Sequence, residues 1–192
     1  MHQEIEIEFK NLLTKTEFDK LCDSFSLKES DFILQENHYF DSENFSLKNK
    51  GCALRIRKKK NSYEMTLKQP AEEGLLETNE TLSEDEAKAI IASNRIPEGP
   101  IAKIIREELE VEPESVIYFG SLRTHRAETE YEGGLLVIDH SMYLNKEDYE
   151  LEYEVSDFSA GQKIFLELLK TLNIPVRQTD NKIKRFYTAK YK

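Results

Sequence analysis

Three short segments of this 192-residue chain carry like charges at every second position: Glu4, Glu6 and Glu8; Arg55, Arg57 and Lys59; and Glu150, Glu152 and Glu154. A period of two puts each set on one face of a β-strand. Charges two residues apart on a strand are about 7 Å apart, so each like pair repels by roughly 0.6 kcal/mol in water and roughly 2.4 kcal/mol at an effective dielectric of 20. Such stripes are tolerable in solvent and need counter-ions in an enclosed site. Clustered carboxylates suit a hard divalent cation, whereas guanidinium forks and ammonium groups suit phosphate oxygens. Each stripe alone also fits the solvated face of a half-buried antiparallel sheet. Sorting the charges into carboxylate-only and cation-only strands fits a ligand that combines metal and phosphate.

Further cations that could join the basic side are Lys68, Arg123, Arg126, Lys182, Lys184 and Arg185, and Glu80 and Asp139 could join the acidic side. Taken singly, each also reads as a surface charge. The histidines His2, His38, His125 and His140 show no metal-ligand spacing and no paired nucleophile, and receive no catalytic role. Cys22 and Cys52 lack CxxC spacing and read as reduced structural thiols. A net charge of −10 argues against a stable nucleic-acid partner, although a cationic pocket can exist within an acidic protein. No charged-then-apolar leader opens the sequence and no apolar run spans a bilayer, so cytoplasmic residence without a membrane partner is expected.

The elements that position these charges follow from periodicity. Strands are expected over 3–11, 33–41, 51–60, 63–69, 75–82, 115–131 with a break near Leu122, 135–143 and 149–155. Thr14 with Glu17, Ser83 with Glu86, and Ser159 with Gln162 have the spacing that opens helices; the first should run to about Leu27, and Pro100 opens another. The basic segment 182–190 reads as extended. With no linker or repeat, the chain should be one α+β domain over residues 1–192: an eight-stranded antiparallel β-barrel with helices packed on the outside, closure removing exposed sheet edges.

Glu6-Ile7-Glu8-Phe9-Lys10 resembles the ExExK signature of the CYTH, or triphosphate tunnel metalloenzyme, superfamily. The resemblance continues in order through Arg55-Ile56-Arg57, Leu67-Lys68-Gln69-Pro70, Arg126, Asp139, Glu150-Leu151-Glu152 and Lys182, covering nearly the whole chain. It implies a tunnel that binds a triphosphate-containing small molecule with Mg²⁺ or Mn²⁺. Glu6, Glu8, Glu150 and Glu152 then match the metal carboxylates, with Asp139 and Glu80 as supporting ligands. Arg55, Arg57, Lys68, Arg126 and Lys182 match the phosphate clamps, and Lys10 matches the signature lysine. Glu4 and Glu154 extend the acidic stripes, so a two-residue shift in metal ligands would keep the same face, and residues 76–80 lack the arginine often found there. The implied activity is metal-dependent triphosphate hydrolysis, with Glu6, Glu8, Lys10 and Arg57 closest to the chemistry. A class IV adenylate cyclase and a non-catalytic polyphosphate binder are the alternatives.

Overall fold

The computed structural model of the protein describes residues 1–191. In chain order the elements are β1 (His2–Leu13), α1 (Lys15–Ser24), β2 (Ile33–Ser42), α2 (Ser46–Asn49), β3 (Ala53–Lys59), β4 (Ser62–Pro70), β5 (Leu75–Leu82), α3 (Glu84–Ser93), α4 (Pro100–Glu107), β6 (Val116–Tyr131), β7 (Gly134–Tyr143), β8 (Lys146–Val155), α5 (Phe158–Thr171) and α6 (Lys182–Tyr191). The eight strands form a closed antiparallel barrel in the order β1-β5-β4-β3-β2-β6-β7-β8, with the helices outside it. No helix among the described residues is long and apolar enough to cross a membrane.

Two compact units make up the chain: Met1–Ile5 with Gln35–Leu122, and Glu6–Leu34 with the residues from Arg123 onward. In the first, β3 is antiparallel to β2 and to β4, and β4 to β5. Phe40, Leu54, Ile56, Met65 and Leu67 alternate onto one sheet face and pack against Leu47 of α2, Ala87 and Ile90 of α3, and Ile101 and Ile105 of α4. In the second, β8 lies between β1 and β7. Leu136, Ile138, Leu151 and Tyr153 pack against Leu21 of α1 and Phe165, Leu168 and Leu169 of α5. In both units the period of two leaves the charged stripes, Arg55 with Arg57 and Glu150 with Glu152, on the face opposite that core.

The expected helix starts at Thr14, Ser83 and Pro100 are present, the first two as complete capping boxes. Four expectations change. The first helix ends at Ser24, because the chain turns left-handed at Ser26 (φ 54°). The last long helix starts earlier than Ser159, since the Asp157 carboxylate caps it by accepting from Ala160 N at 2.7 Å. β6 runs through Leu122 without a break. The segment read as extended, 182–190, is helical: Asn181 Oδ1 accepts from Lys184 N at 2.9 Å, and Ile183 and Phe186, three apart, are buried together.

Candidate functional site

The register of β6, β7 and β8 builds a carboxylate centre in the second unit. Arg126 lies opposite Asp139, and Asp139 opposite Glu150, so all three point from the same sheet face. Glu152, two residues further along β8, shares that face and lies opposite Lys10 of β1. Asp139, Glu150 and Glu152 each offer an oxygen within 4.8 Å of the others, and all three residues are buried.

Three like charges so close require counter-charge. Arg126, itself buried, donates from Nε to Asp139 Oδ1 at 2.8 Å, and from Nη2 to Asp139 Oδ2 at 2.6 Å and Glu152 Oε2 at 2.8 Å. The first residue of α6 supplies the next cation: Lys182 Nζ is 2.8 Å from Asp139 Oδ2, 2.6 Å from Glu150 Oε2 and 2.5 Å from Glu152 Oε1. One helical turn on, Arg185 binds Glu150 Oε2 at 2.7 Å and Asp148 Oδ2 at 3.0 Å. Tyr143 also donates to Asp148, at 2.7 Å, and burial together with that carboxylate pushes its phenol up to about 12.

Burial alone would raise the Glu152 carboxyl, but Lys182, Arg126 and Lys10 together hold it well below the usual range. Asp139 is lowered in the same way, burial being outweighed by Arg126 and Lys182. Burial would likewise neutralise Lys182, and the three carboxylates instead keep it charged well above its ordinary range. Lys10 pairs with Glu8 and is raised, burial being overcome by Glu8 and Glu152. Asp139, Glu152, Lys182 and Lys10 are therefore each held in the charged form near neutral pH.

The first unit carries a basic and amide-rich face. Tyr39, Arg55, Thr66 and Asn79 form one cross-strand row on β2 to β5. In it, Arg55 Nε, Thr66 Oγ1 and Asn79 Oδ1 are buried without a hydrogen-bond partner. In the next row, Asn37 Oδ1 accepts from Arg57 Nε at 2.9 Å and so orients that guanidinium. Both ends of the buried Gln35 side chain, opposite Lys59, are also unmatched. Each unmatched buried polar group costs about 1–3 kcal/mol, which favours a polar ligand on this face. Lys68 pairs with Glu77 directly across the β4–β5 ladder.

The trio does not include every expected carboxylate. Glu80 lies opposite buried Met65 on the helix-covered face, and its Oε1 caps α4 by accepting from Ile101 N at 3.2 Å. It is absent from the carboxylate group because side chains one residue apart on a strand point to opposite faces. Glu6 and Glu8 are also outside the group of three, and Glu8 lies opposite Glu154. Arg123 is exposed and, three residues from Arg126, on the other face of β6. Lys184 is exposed and paired with Asp180 at 2.7 Å. Asn37, Gln35, Thr66 and Asn79 were not singled out by the charge pattern, because neutral side chains show no sign alternation; only the register reveals their row. Cys22 and Cys52 are free, and burial pushes both thiols up to about 11, unsuited to a nucleophile at neutral pH.

A family model described as the CYTH domain matches residues 4–187. The chain belongs to the CYTH domain family. Among CYTH relatives, a Bacillus subtilis (strain 168) protein, the triphosphatase candidate YjbK, is 52% identical over 192 residues, spanning 100% of this chain and 99% of its own. The crystal structure of an adenylate cyclase candidate from Bacillus halodurans is similar at 45% identity and a TM-score of 0.93, with 97% of this chain and 100% of that one covered. A Hippeastrum protein, the adenylyl cyclase candidate HpAC1, whose structural report describes a dominant triphosphatase activity, shares the fold at 24% identity and a TM-score of 0.79, over 96% of each chain.

The CYTH family is metal-dependent, and the buried trio in this chain is an all-oxygen donor set of hard carboxylates. That chemistry suits a hard divalent cation.

Proposed function

We propose that this CYTH protein is a divalent-metal-dependent triphosphate hydrolase acting on inorganic triphosphate or on a triphosphorylated small molecule such as thiamine triphosphate or a nucleoside triphosphate. The observation that carries the reading is the buried trio Asp139, Glu150 and Glu152, ion-paired with Arg126 and Lys182. The triphosphatase name borne by the 52%-identical Bacillus subtilis relative supports the same reading.

Asp139, Glu150 and Glu152 would hold the cation. Such a cation would supply charge neutralisation at the phosphate and activation of the attacking water. Arg126 holds the Asp139 and Glu152 carboxylates in place, so little reorganisation is needed during reaction. On β3, Arg55 and Arg57 offer guanidinium forks to phosphate oxygens, and Asn37 restrains Arg57 for that task. Glu6 and Glu8, with Lys10, contribute charge along β1 and are assigned to water positioning. Hydrolysis forms a bond from water oxygen to the terminal phosphorus and breaks its bridging P–O bond. Orthophosphate leaves, the remaining diphosphate keeps the bridging oxygen, and the water proton passes to solvent.

A second reading is adenylate cyclisation, supported by the name of the 45%-identical Bacillus halodurans structure. It yields pyrophosphate and cyclic AMP instead of orthophosphate. One experiment separates them: all three products are measured from inorganic triphosphate, thiamine triphosphate and ATP, with Mg²⁺, Mn²⁺ or chelator. Metal-dependent orthophosphate release is expected, abolished in Glu150→Gln and reduced roughly 10²-fold or more in Arg57→Ala. Release that persists in chelator, or cyclic AMP as the main product from ATP, would overturn the proposal.

A further inference from the structure

The ammonium of Lys182 stands where a cation held by the carboxylate trio would have to stand. Its contacts of 2.8, 2.6 and 2.5 Å reach Asp139, Glu150 and Glu152, one oxygen from each, which matches the three donors of an ammonium group. A divalent cation would draw on the same three residues, so ion and ammonium cannot both sit among them. Charge points the same way. Four carboxylates, Asp139, Glu150, Glu152 and Asp148, face Arg126, Lys182 and Arg185, so a divalent ion added without a departure would leave the group net positive, and withdrawal of the Lys182 charge would balance it.

We infer that Lys182 is the resident counter-ion of the trio, and that a divalent cation enters only by exchange with it, so that Lys182 sets the affinity of the site. This rests on reading the trio as the cation site. Of the three basic residues, Lys182 is the one able to leave. Arg126 is fixed by a two-point grip on Asp139 from the neighbouring strand. Arg185 keeps Asp148 and the Asp180 carbonyl even if Glu150 is withdrawn. Lys182 has a flexible stem, begins α6, and among the described residues makes its ionic contacts with the trio alone.

The chain leading to Lys182 is held separately. Asn11 binds Pro175 O and Arg177 N, Thr179 Oγ1 accepts from Leu12 N, and Arg177 grips Glu17. Exchange therefore moves one side chain, or the first turn of α6, without freeing this tether. Metal loading releases the ammonium, which then becomes available to a phosphate oxygen.

The test uses the full chain without triphosphate. Mn²⁺ binding is measured by titration calorimetry for the parent, Lys182→Met and Glu150→Gln, and amine-reactive labelling of Lys182 in the parent is followed by mass spectrometry with chelator and with saturating Mn²⁺. The expected results are binding at least tenfold tighter in Lys182→Met, none in Glu150→Gln, and labelling of Lys182 only in the metal-loaded parent. Equal or weaker binding by a folded Lys182→Met, or a Lys182 that stays unlabelled in the loaded parent, overturns the exchange while leaving the metal site in place. The labelling arm decides the matter if Lys182→Met does not fold. Absence of Mn²⁺ binding by the parent and by folded Lys182→Met refutes the cation site and the exchange together.

Discussion

Arg126 presents the sharpest contrast between a phosphate clamp and a structural counter-ion. Its guanidinium makes three hydrogen bonds of 2.6 to 2.8 Å to Asp139 and Glu152, with the side chain 9% exposed and Asp139 fully buried. Replacing it by Met removes the cation and leaves the Asp139 and Glu152 carboxylates with Lys182 as their shared partner. Breaking a buried ion pair from one side costs about 3–5 kcal/mol. Unfolding entropy near 2.1 cal/mol/K per residue corresponds to roughly 400 cal/mol/K for this length, so the melting temperature of Arg126→Met should fall by about 8–12 °C. The assay is thermal unfolding followed by circular dichroism in chelator, with Asp139→Asn and the double variant completing a cycle. The double variant should recover at least about 1 kcal/mol relative to the sum of the single losses, because neutralising Asp139 removes the charge that Arg126 left behind. A melting temperature within about 2 °C of the parent would refute the reasoning. It would place the pair in the range of screened surface contacts and return Arg126 to phosphate binding alone.

Three other outcomes follow from the geometry. Glu80→Ala should cost about 1 kcal/mol through loss of the α4 cap and leave Mn²⁺ affinity unchanged; a large loss of metal binding would show Glu80 to be a ligand after all. In chelator, stability should decline as pH falls below about 4.5. Asp139 and Glu152 have folded pKa values below their unfolded ones, so their contribution is complete above the unfolded range and disappears as they protonate. Removing Lys182 should flatten this decline, and melting curves of Lys182→Met with the parent's acid slope would contradict it. Gly134→Ala should lose about 1–3 kcal/mol in urea unfolding, because a Cβ there would lie 2.7 Å from the Glu154 carbonyl oxygen and 2.6 Å from the buried Tyr153 ring; an unchanged midpoint would mean that β7 and β8 separate freely.

Much of this was legible in the residue order because the deciding interactions are local. Strand alternation alone places Glu150, Glu152 and Glu154 on one face and Arg55, Arg57 and Lys59 on another, whatever packs against them. Thr14 with Glu17 and Ser83 with Glu86 satisfy their own helix ends within three residues, so those starts needed no tertiary help. The run Lys182-Ile183-Lys184-Arg185-Phe186 fits either a strand or a helix over so few residues, and the Asn181 cap and the joint burial of Ile183 and Phe186 select the helix. Tertiary structure decided which charges meet. Asp139 joins Glu150 because β7 and β8 pair in that register, Glu80 is lost to α4 by its parity on β5, and Arg126 is committed to carboxylates by its position across from Asp139. These are contacts between separate elements. Periodicity states which way a side chain points, and only the register between strands states what it points at.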